Sequence, residues 1–320
     1  MKNKIRIYAG FVLAIALVSP MAHGKAQVGL GGKLAVQAPK PKENRFKGTI
    51  SSYFYNFEGT QGARDVYEFA DTTLRMELLT LQYQATPKWT WMVTGQRLEN
   101  YVETNIRGFG YFEDTTKGFG DTILQAMYLA HARGALLLMA DVGVSLPTGH
   151  ISLKNQTPSL HHLNYPYNMQ MGSGTYDAIV GVMPVWIQPR YQVGGRFSST
   201  IRTGENGNGY RLGNLYRLDA WADYELGKGF APRLVGYYKH KDPISGADRT
   251  LGRSALTEFY HHNQINWDVS AALRYKYAMG DSKLSVAAEV GAPIWQGMDN
   301  SDNVVVSTQY YGALSLNGVF

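Results

Sequence analysis

The sequence predicts an all-β protein, a transmembrane antiparallel up-and-down β-barrel of about 12 strands. Three observations predict it. Segments of strand length alternate apolar and polar residues with a period of two. The connections between them alternate short and long. The composition sets 35 Gly, 22 Tyr, 12 Phe and 6 Trp against 18% charged residues in a chain of 320. Past the N-terminal region no stretch supplies the ~18 consecutive apolar residues of a membrane helix. A closed barrel is the other spanning structure in which every backbone group finds a partner.

Residues 1–24 have the form of a secretory signal peptide. Lys2, Lys4 and Arg6 precede the apolar run Ile7 to Val18, and the small residues Ala22 and Gly24 follow. At about 12 residues the run is too short to span a bilayer. Removing this segment takes away three cations and no acid, so the formal charge falls from +6 to +3. Residues 25–47 form a basic periplasmic leader, with Lys25, Lys33, Lys40, Lys42, Arg45 and Lys47 against Glu43 alone. An exported chain meets little nucleic acid, so the leader is not read as a nucleic-acid arm. Residues 48–320 are left for the barrel. With 0 Cys, a disulfide framework, a thiol nucleophile and a lipid-anchored cysteine are all excluded.

The predicted strands are 48–57, 73–86, 88–100, 119–131, 134–146, 174–187, 189–201, 212–226, 231–240, 267–278, 282–295 and 306–320. Tight turns follow the second strand at Pro87, the fourth near Gly134, the sixth near Gln188 and Pro189, the eighth at Gly227–Lys228–Gly229 and the tenth near Gly280. The other connections are long, as extracellular loops are. The faces separate clearly. The tenth strand sets Trp267, Val269, Ala271, Leu273, Tyr275 and Tyr277 against Asp268, Ser270, Arg274 and Lys276. The eighth sets Tyr216, Leu218, Ala220 and Ala222 against Arg217, Asp219 and Asp223. A soluble sandwich would carry Lys and Glu on its outer face; aromatic-edged apolar faces are those of a lipid-facing wall. In the second strand the apolar set changes phase at Leu78 and Leu79, which predicts a bulge or a misplaced strand boundary there.

In the last strand the even positions Val306, Thr308, Tyr310, Leu314, Leu316 and Phe320 take the lipid side. The strand closes the barrel against the first, with Phe320 at the periplasmic girdle. The terminus resembles those that the barrel assembly machinery recognises, although Gly318 stands where a larger residue is usual. The expected location is the outer membrane of a Gram-negative bacterium, with membrane lipid, lipopolysaccharide and the assembly machinery as partners.

Three stretches carry a family resemblance: "GFGDTILQAMYL" from Gly118, "DVGVSLPTGH" from Asp141 and "YNMQMGSGTYDAIVGV" from Tyr167. They resemble the outer-membrane family named for the meta-pathway of phenol degradation. Its motifs fall here on Gly118, Gly120 and Asp121; on Leu146, Pro147, Thr148 and Gly149; and on Gly172, Ser173, Gly174 and Asp177. The resemblance implies an outer-membrane channel or transporter for passive uptake of small solutes, with aromatic or other hydrophobic compounds as cargo. The motif residues also have a plain structural reading, as turn and bulge formers at strand ends.

Inward parity nominates a pore lining of Arg190, Arg196, Arg217, Asp219, Asp223, Arg274 and Lys276, joined by Arg202, Lys283, Asp141, Asp177, Asp268 and Glu289. Opposed cations and acids across a lumen would order polar solutes. They could equally pair with one another and fill a closed barrel. His161, His162, Met169 and Met171 share one long loop, with His261 and His262 in another on the same side, a donor set suited to copper. The alternative function is therefore a closed-lumen surface binding or structural barrel carrying such a loop site. No resident cofactor is expected. His131, His150 and His240 have no evident nucleophile beside them, and "GENGNG" leads into no helix, so no enzyme is predicted.

Overall fold

The computed structural model describes residues 46–59, 67–106, 110–156, 163–248, 250–251, 264–279, 282–298 and 306–319. The signal peptide, all but the last two residues of the leader, the four loop histidines and Phe320 lie outside these residues.

The strands are β1 (Phe46–Gly59), β2 (Tyr67–Gln84), β3 (Trp89–Ile106), β4 (Gly110–Phe119), β5 (Thr122–Arg133), β6 (Leu136–Leu146), β7 (Asp177–Ile187), β8 (Tyr191–Arg202), β9 (Tyr210–Arg211), β10 (Leu215–Tyr224), β11 (Phe230–Lys241), β12 (Ser245–Gly246), β13 (Gln264–Met279), β14 (Ser282–Met298) and β15 (Val306–Val319). Neighbours in the wall pair antiparallel, and β1 pairs with both β2 and β15, so the sheet closes. β4 and β5 both pair with β3, at Arg97 to Ile106 and at Trp89 to Thr94 respectively. They are two halves of one wall strand, which makes a barrel of 12. β9 and β12 form a separate ribbon in the loops.

Why the wall stands in lipid is visible in its outer face. One aromatic girdle runs along the periplasmic rim, where Trp89 meets Tyr128 at 4.8 Å, Phe230 meets Tyr275 at 4.8 Å and Phe46 meets Tyr83 at 4.9 Å. A second lies toward the outer rim, where Tyr238 meets Trp267 at 4.7 Å and Phe54 meets Tyr310 at 6.4 Å. Between them Ile50, Leu81, Val142, Val182, Leu218, Leu234 and Leu273 are exposed, as lipid-facing side chains are. The protein is an outer-membrane β-barrel. The periplasmic turns are tight; at Gly227–Lys228–Gly229 all three residues take positive φ, and the Phe230 amide donates to the Gly227 carbonyl at 3.0 Å.

Three sequence expectations are corrected. The bulge at Leu78 and Leu79 is absent: β1 and β2 stay in register from Phe46↔Tyr83 to Gly59↔Ala70. Leu79 and Leu81 face lipid and Leu78 faces the lumen; farther out, where β2 rises above the girdle, Glu77 and Arg75 take the outer face. The phase of the strand is constant and its surroundings change. Second, most of the loop expected at 101–118 is strand, because β3 and β4 continue as a hairpin of Thr, Tyr and Glu residues. Third, Thr308 is buried on the inner face, since the β1–β15 register shifts between Asn56 and Phe57 and turns the strand's outer end by one residue.

Candidate functional site

The inner face of the barrel falls into distinct regions. In the periplasmic half, Met92, Met127, Leu137, Met139, Met183, Val185, Ile187, Trp221 and Val235 pack into one apolar cluster. Met suits this place because its unbranched chain fills irregular space between strands of fixed spacing. The opposite wall is polar: the Thr49 hydroxyl donates to the Asn317 carbonyl oxygen at 2.8 Å, and the Thr80 and Thr94 hydroxyls meet at 2.9 Å.

Charge enters as pairs. Arg196 Nη2 donates to Asp141 Oδ2 at 3.0 Å, and Gln125 Nε2 donates to the same oxygen at 3.1 Å. Arg233 grips Asp223 through two parallel bonds of 2.7 Å each, the fork geometry that makes arginine a strong carboxylate partner. Arg274 stands 3.8 Å from Asp223 and 3.5 Å from Glu225, which also pairs with Lys276. Arg217 Nε donates to Asp219 Oδ1 at 2.5 Å, and Arg202 pairs with Asp177. Of the nominated lining, Arg196, Arg217, Asp219, Asp223, Arg274 and Lys276 all face inward. Arg190 does not join them: it is exposed in the turn before β8, because that strand starts at Tyr191.

Two of the cations reach farther into the lumen than the acids do. The Asp219 side chain is 1% exposed and Asp177 0%, while Arg217 is 40% exposed and Lys276 48%. At Arg217 and Lys276 the long cation projects into the lumen, whereas Arg196, Arg233 and Arg274 are nearly as buried as the acids they pair with. Lys239, the cross-strand neighbour of Arg217, is exposed as well.

Sequence reasoning missed the aromatic wall. Tyr53, Tyr55 and Phe57 alternate along β1 and all point inward, their rings stacked at 6.0 and 6.1 Å with interplanar angles of 22° and 20°. Tyr311 continues from Tyr55 at 5.5 Å, and Tyr237 meets Tyr311 edge-on at 6.4 Å. The Arg217 guanidinium lies 4.9 Å above the Tyr237 ring. The Tyr237 hydroxyl and the Ser270 hydroxyl both donate to Glu289, at 2.8 and 2.6 Å, which buries that acid. The signal that could have found this wall is the same-parity run in "SYFYNF".

At the outer end the three motifs converge on one carboxylate. Asp121, in the break between β4 and β5, accepts from the Gly149 amide at 3.0 Å and from the Ser173 amide and hydroxyl at 2.7 Å each. Thr148 accepts from the Thr122 amide at 2.8 Å and donates to the Gly120 carbonyl at 3.0 Å. Gly149 and Gly172 touch so closely that a Cβ on Gly149 would lie 2.7 Å from the Gly172 Cα. The motifs thus anchor the loop after β6 to the wall. Above them Asp248 accepts from Asn164 and Asn208 at 2.8 and 3.0 Å, and Tyr167 and Tyr210 meet at 4.6 Å. Burial pushes the Tyr210 phenol up to about 12. Burial, and next the Asp114 carboxylate to which it donates, also raise Tyr165. Of the proposed copper donors, Met169 and Met171 are buried in this cap, with Met171 against Gly118.

The chain matches the family model described as "Putative MetA-pathway of phenol degradation" over residues 44–291. It belongs to this family. The family match reaches well beyond the motif region, taking in the aromatic run of β1 and the charged faces of β10 to β13. Among solved structures, an outer membrane channel from Pseudomonas putida F1 is similar at 14% identity and a TM-score of 0.59, over 92% of this chain and 100% of that one. A FadL homologue from Pseudomonas aeruginosa follows at 10% identity and 0.44, over 87% and 90%. The transport unit of the autotransporter AIDA-I from Escherichia coli gives 10% and 0.47, over 88% and 92%. At 14% identity the likeness to the Pseudomonas putida channel is one of fold. No curated protein matches the chain.

Proposed function

We propose that the protein is an outer-membrane channel or transporter that admits small solutes passively, with aromatic and other small hydrophobic compounds as its cargo. The observation that carries this reading is the stacked aromatic wall of Tyr53, Tyr55 and Phe57 inside a closed barrel. A barrel needs apolar residues outside; rings that face inward, half-buried, offer contact area to a passing solute. The phenol-degradation family to which the chain belongs is consistent with such cargo. No catalytic role is proposed.

The closed-lumen reading has its own support in the ion pairs of Arg196, Arg233 and Arg274 and in the loop cap over the outer end. Planar-bilayer conductance with liposome swelling decides between them. The channel reading expects discrete current steps in KCl and faster swelling with small aromatic solutes than with sugars of similar mass. Silent bilayers together with no swelling would establish the closed barrel instead.

A further inference from the structure

The outer half of the lumen joins two features that the channel reading leaves separate. One is the aromatic ladder; the other is exposed positive charge beside it. Lys239 and Arg217 are cross-strand neighbours, Arg217 covers Tyr237, Tyr237 meets Tyr311, and Tyr311 meets Tyr55. The acids of the same region are withdrawn: Asp219 is bonded to Arg217, and Glu289 is bonded to Tyr237 and Ser270. Asp268, opposite Tyr237, is half-buried with one oxygen turned out of reach of solvent and partners. Among the described residues Lys239 makes no ion pair; its side chain is exposed in the lumen, and Asp268 is the acid that acts on it through space.

A planar ring laid along the ladder would bring a substituent of negative charge toward these cations. A neutral ring would gain the stacking and leave the cations idle. A cationic ring would meet Lys239 with like charge while Asp219 and Glu289 stay bonded to their own partners, leaving the half-buried Asp268 as its one counter-charge among these acids. From this we infer that the outer lumen is a binding site for small aromatic carboxylates, the ring against Tyr53, Tyr55 and Phe57 and the carboxylate toward Lys239 and Arg217. The inference rests on the proposed channel function and names its substrate class.

The ladder is part of the wall and needs no rearrangement to act. Tyr55 and Tyr311 lie beside the β1–β15 pairing, where the backbone is bonded along its length. The site is therefore present in the empty barrel, and the ring slots into a fixed surface.

The test uses the full chain folded in detergent micelles and in vesicles, with benzoate as probe and benzyl alcohol, benzylammonium and cyclohexanecarboxylate as comparisons. Saturation-transfer NMR reads binding directly and does not depend on conduction. Expected is saturable benzoate binding, with benzyl alcohol and cyclohexanecarboxylate each weaker by about tenfold, the worth of one good aromatic or charge contact. Lys239→Gln should bring benzoate down to the level of benzyl alcohol. Tyr53→Leu with Tyr55→Leu should erase the advantage of benzoate over cyclohexanecarboxylate. Benzylammonium binding as tightly as benzoate, or benzoate binding unchanged by both variants, would overturn the inference. Bilayer current in KCl reports on the channel separately. A conducting barrel with no benzoate signal sinks the site and keeps the channel; a silent barrel that binds benzoate with this pattern keeps the site and sinks the channel.

Discussion

Replacing Arg196 by methionine should cost the barrel about 3–5 kcal/mol, the usual penalty for stranding one member of a buried ion pair. Both partners are nearly inaccessible, with side-chain exposures of 8% for Arg196 and 1% for Asp141. After the change Asp141 keeps only the Gln125 amide at 3.1 Å, because its second oxygen has no partner. One neutral bond of about 1 kcal/mol cannot offset the desolvation of a full charge. The companion experiment removes the charge as well: Arg196→Met with Asp141→Asn should lose no more than ~1 kcal/mol relative to wild type, since isosteric neutral replacement of such pairs is often nearly neutral. The assay is urea unfolding in lipid vesicles, followed by tryptophan fluorescence. At a slope of about 3 kcal/mol per molar, the single variant should lower the midpoint by 1 M or more, and the double variant should recover most of it. Equal losses in the single and double variants would refute the reasoning. They would mean that the guanidinium serves as packing and that its charge is solvated by water in the lumen.

Two further outcomes are expected. Asp121→Ala should leave three donors on Gly149 and Ser173 without their acceptor and loosen the loop after β6. At about 3 kcal/mol for charge-assisted bonds, protease clipping within 147–176 should rise by two orders of magnitude, while the folded barrel keeps its heat-modifiable mobility; an unchanged clipping rate counts against the clasp. The cap should also fail in strong alkali. Tyr210 is held neutral up to about 12, against about 10 for a free phenol, so its stabilisation is complete below pH 10 and lost as the pH rises toward 12. Subtilisin should therefore cut the cap increasingly between those values in the wild type, with a flatter profile in Tyr210→Phe, and parallel profiles would refute the assignment.

How much of this was legible in the sequence depends on what each residue senses. The lipid face could be read because hydrocarbon tolerates only one kind of side chain. Trp267, Val269 and Leu273 had to share a face, and the strand count followed from the turns between such faces. The second strand misled because alternation reports the medium outside the wall, which changes from lipid to water along β2 near Glu77. The lumen has no single rule. Parity placed Arg196, Arg217, Asp219, Asp223, Arg274 and Lys276 on the inner face, yet it did not name their partners, because strand tilt decides which acid each cation meets. Arg190 was placed in the lining because its parity was right, but parity says nothing about where a strand begins. Tyr53 and Tyr55 went unnoticed since inward aromatics look like core residues in any β protein. Asp121 was singled out only through its motif. Its three donors come from loops whose convergence depends on Gly149 and Gly172 fitting back to back.

The pairing of β1 with β15 has a consequence for how the molecule comes into being. The bond from Thr49 to Asn317 joins residues 268 apart, and every pair of the seam from Lys47↔Val319 to Gly59↔Val306 is comparably distant along the chain. Contacts so distant along the chain are slow to form, since the entropy of bringing the ends together is lost before any bond rewards it. Until they form, β1 and β15 each present a bare edge of amides and carbonyls, which hydrocarbon cannot solvate. The nascent sheet is therefore a poor guest in the membrane at every stage short of closure. Its ripening should be one late, concerted event, whose rate is set by how fast these two strands find each other, and any agent that shields a bare strand edge would speed the arrival of the finished wall.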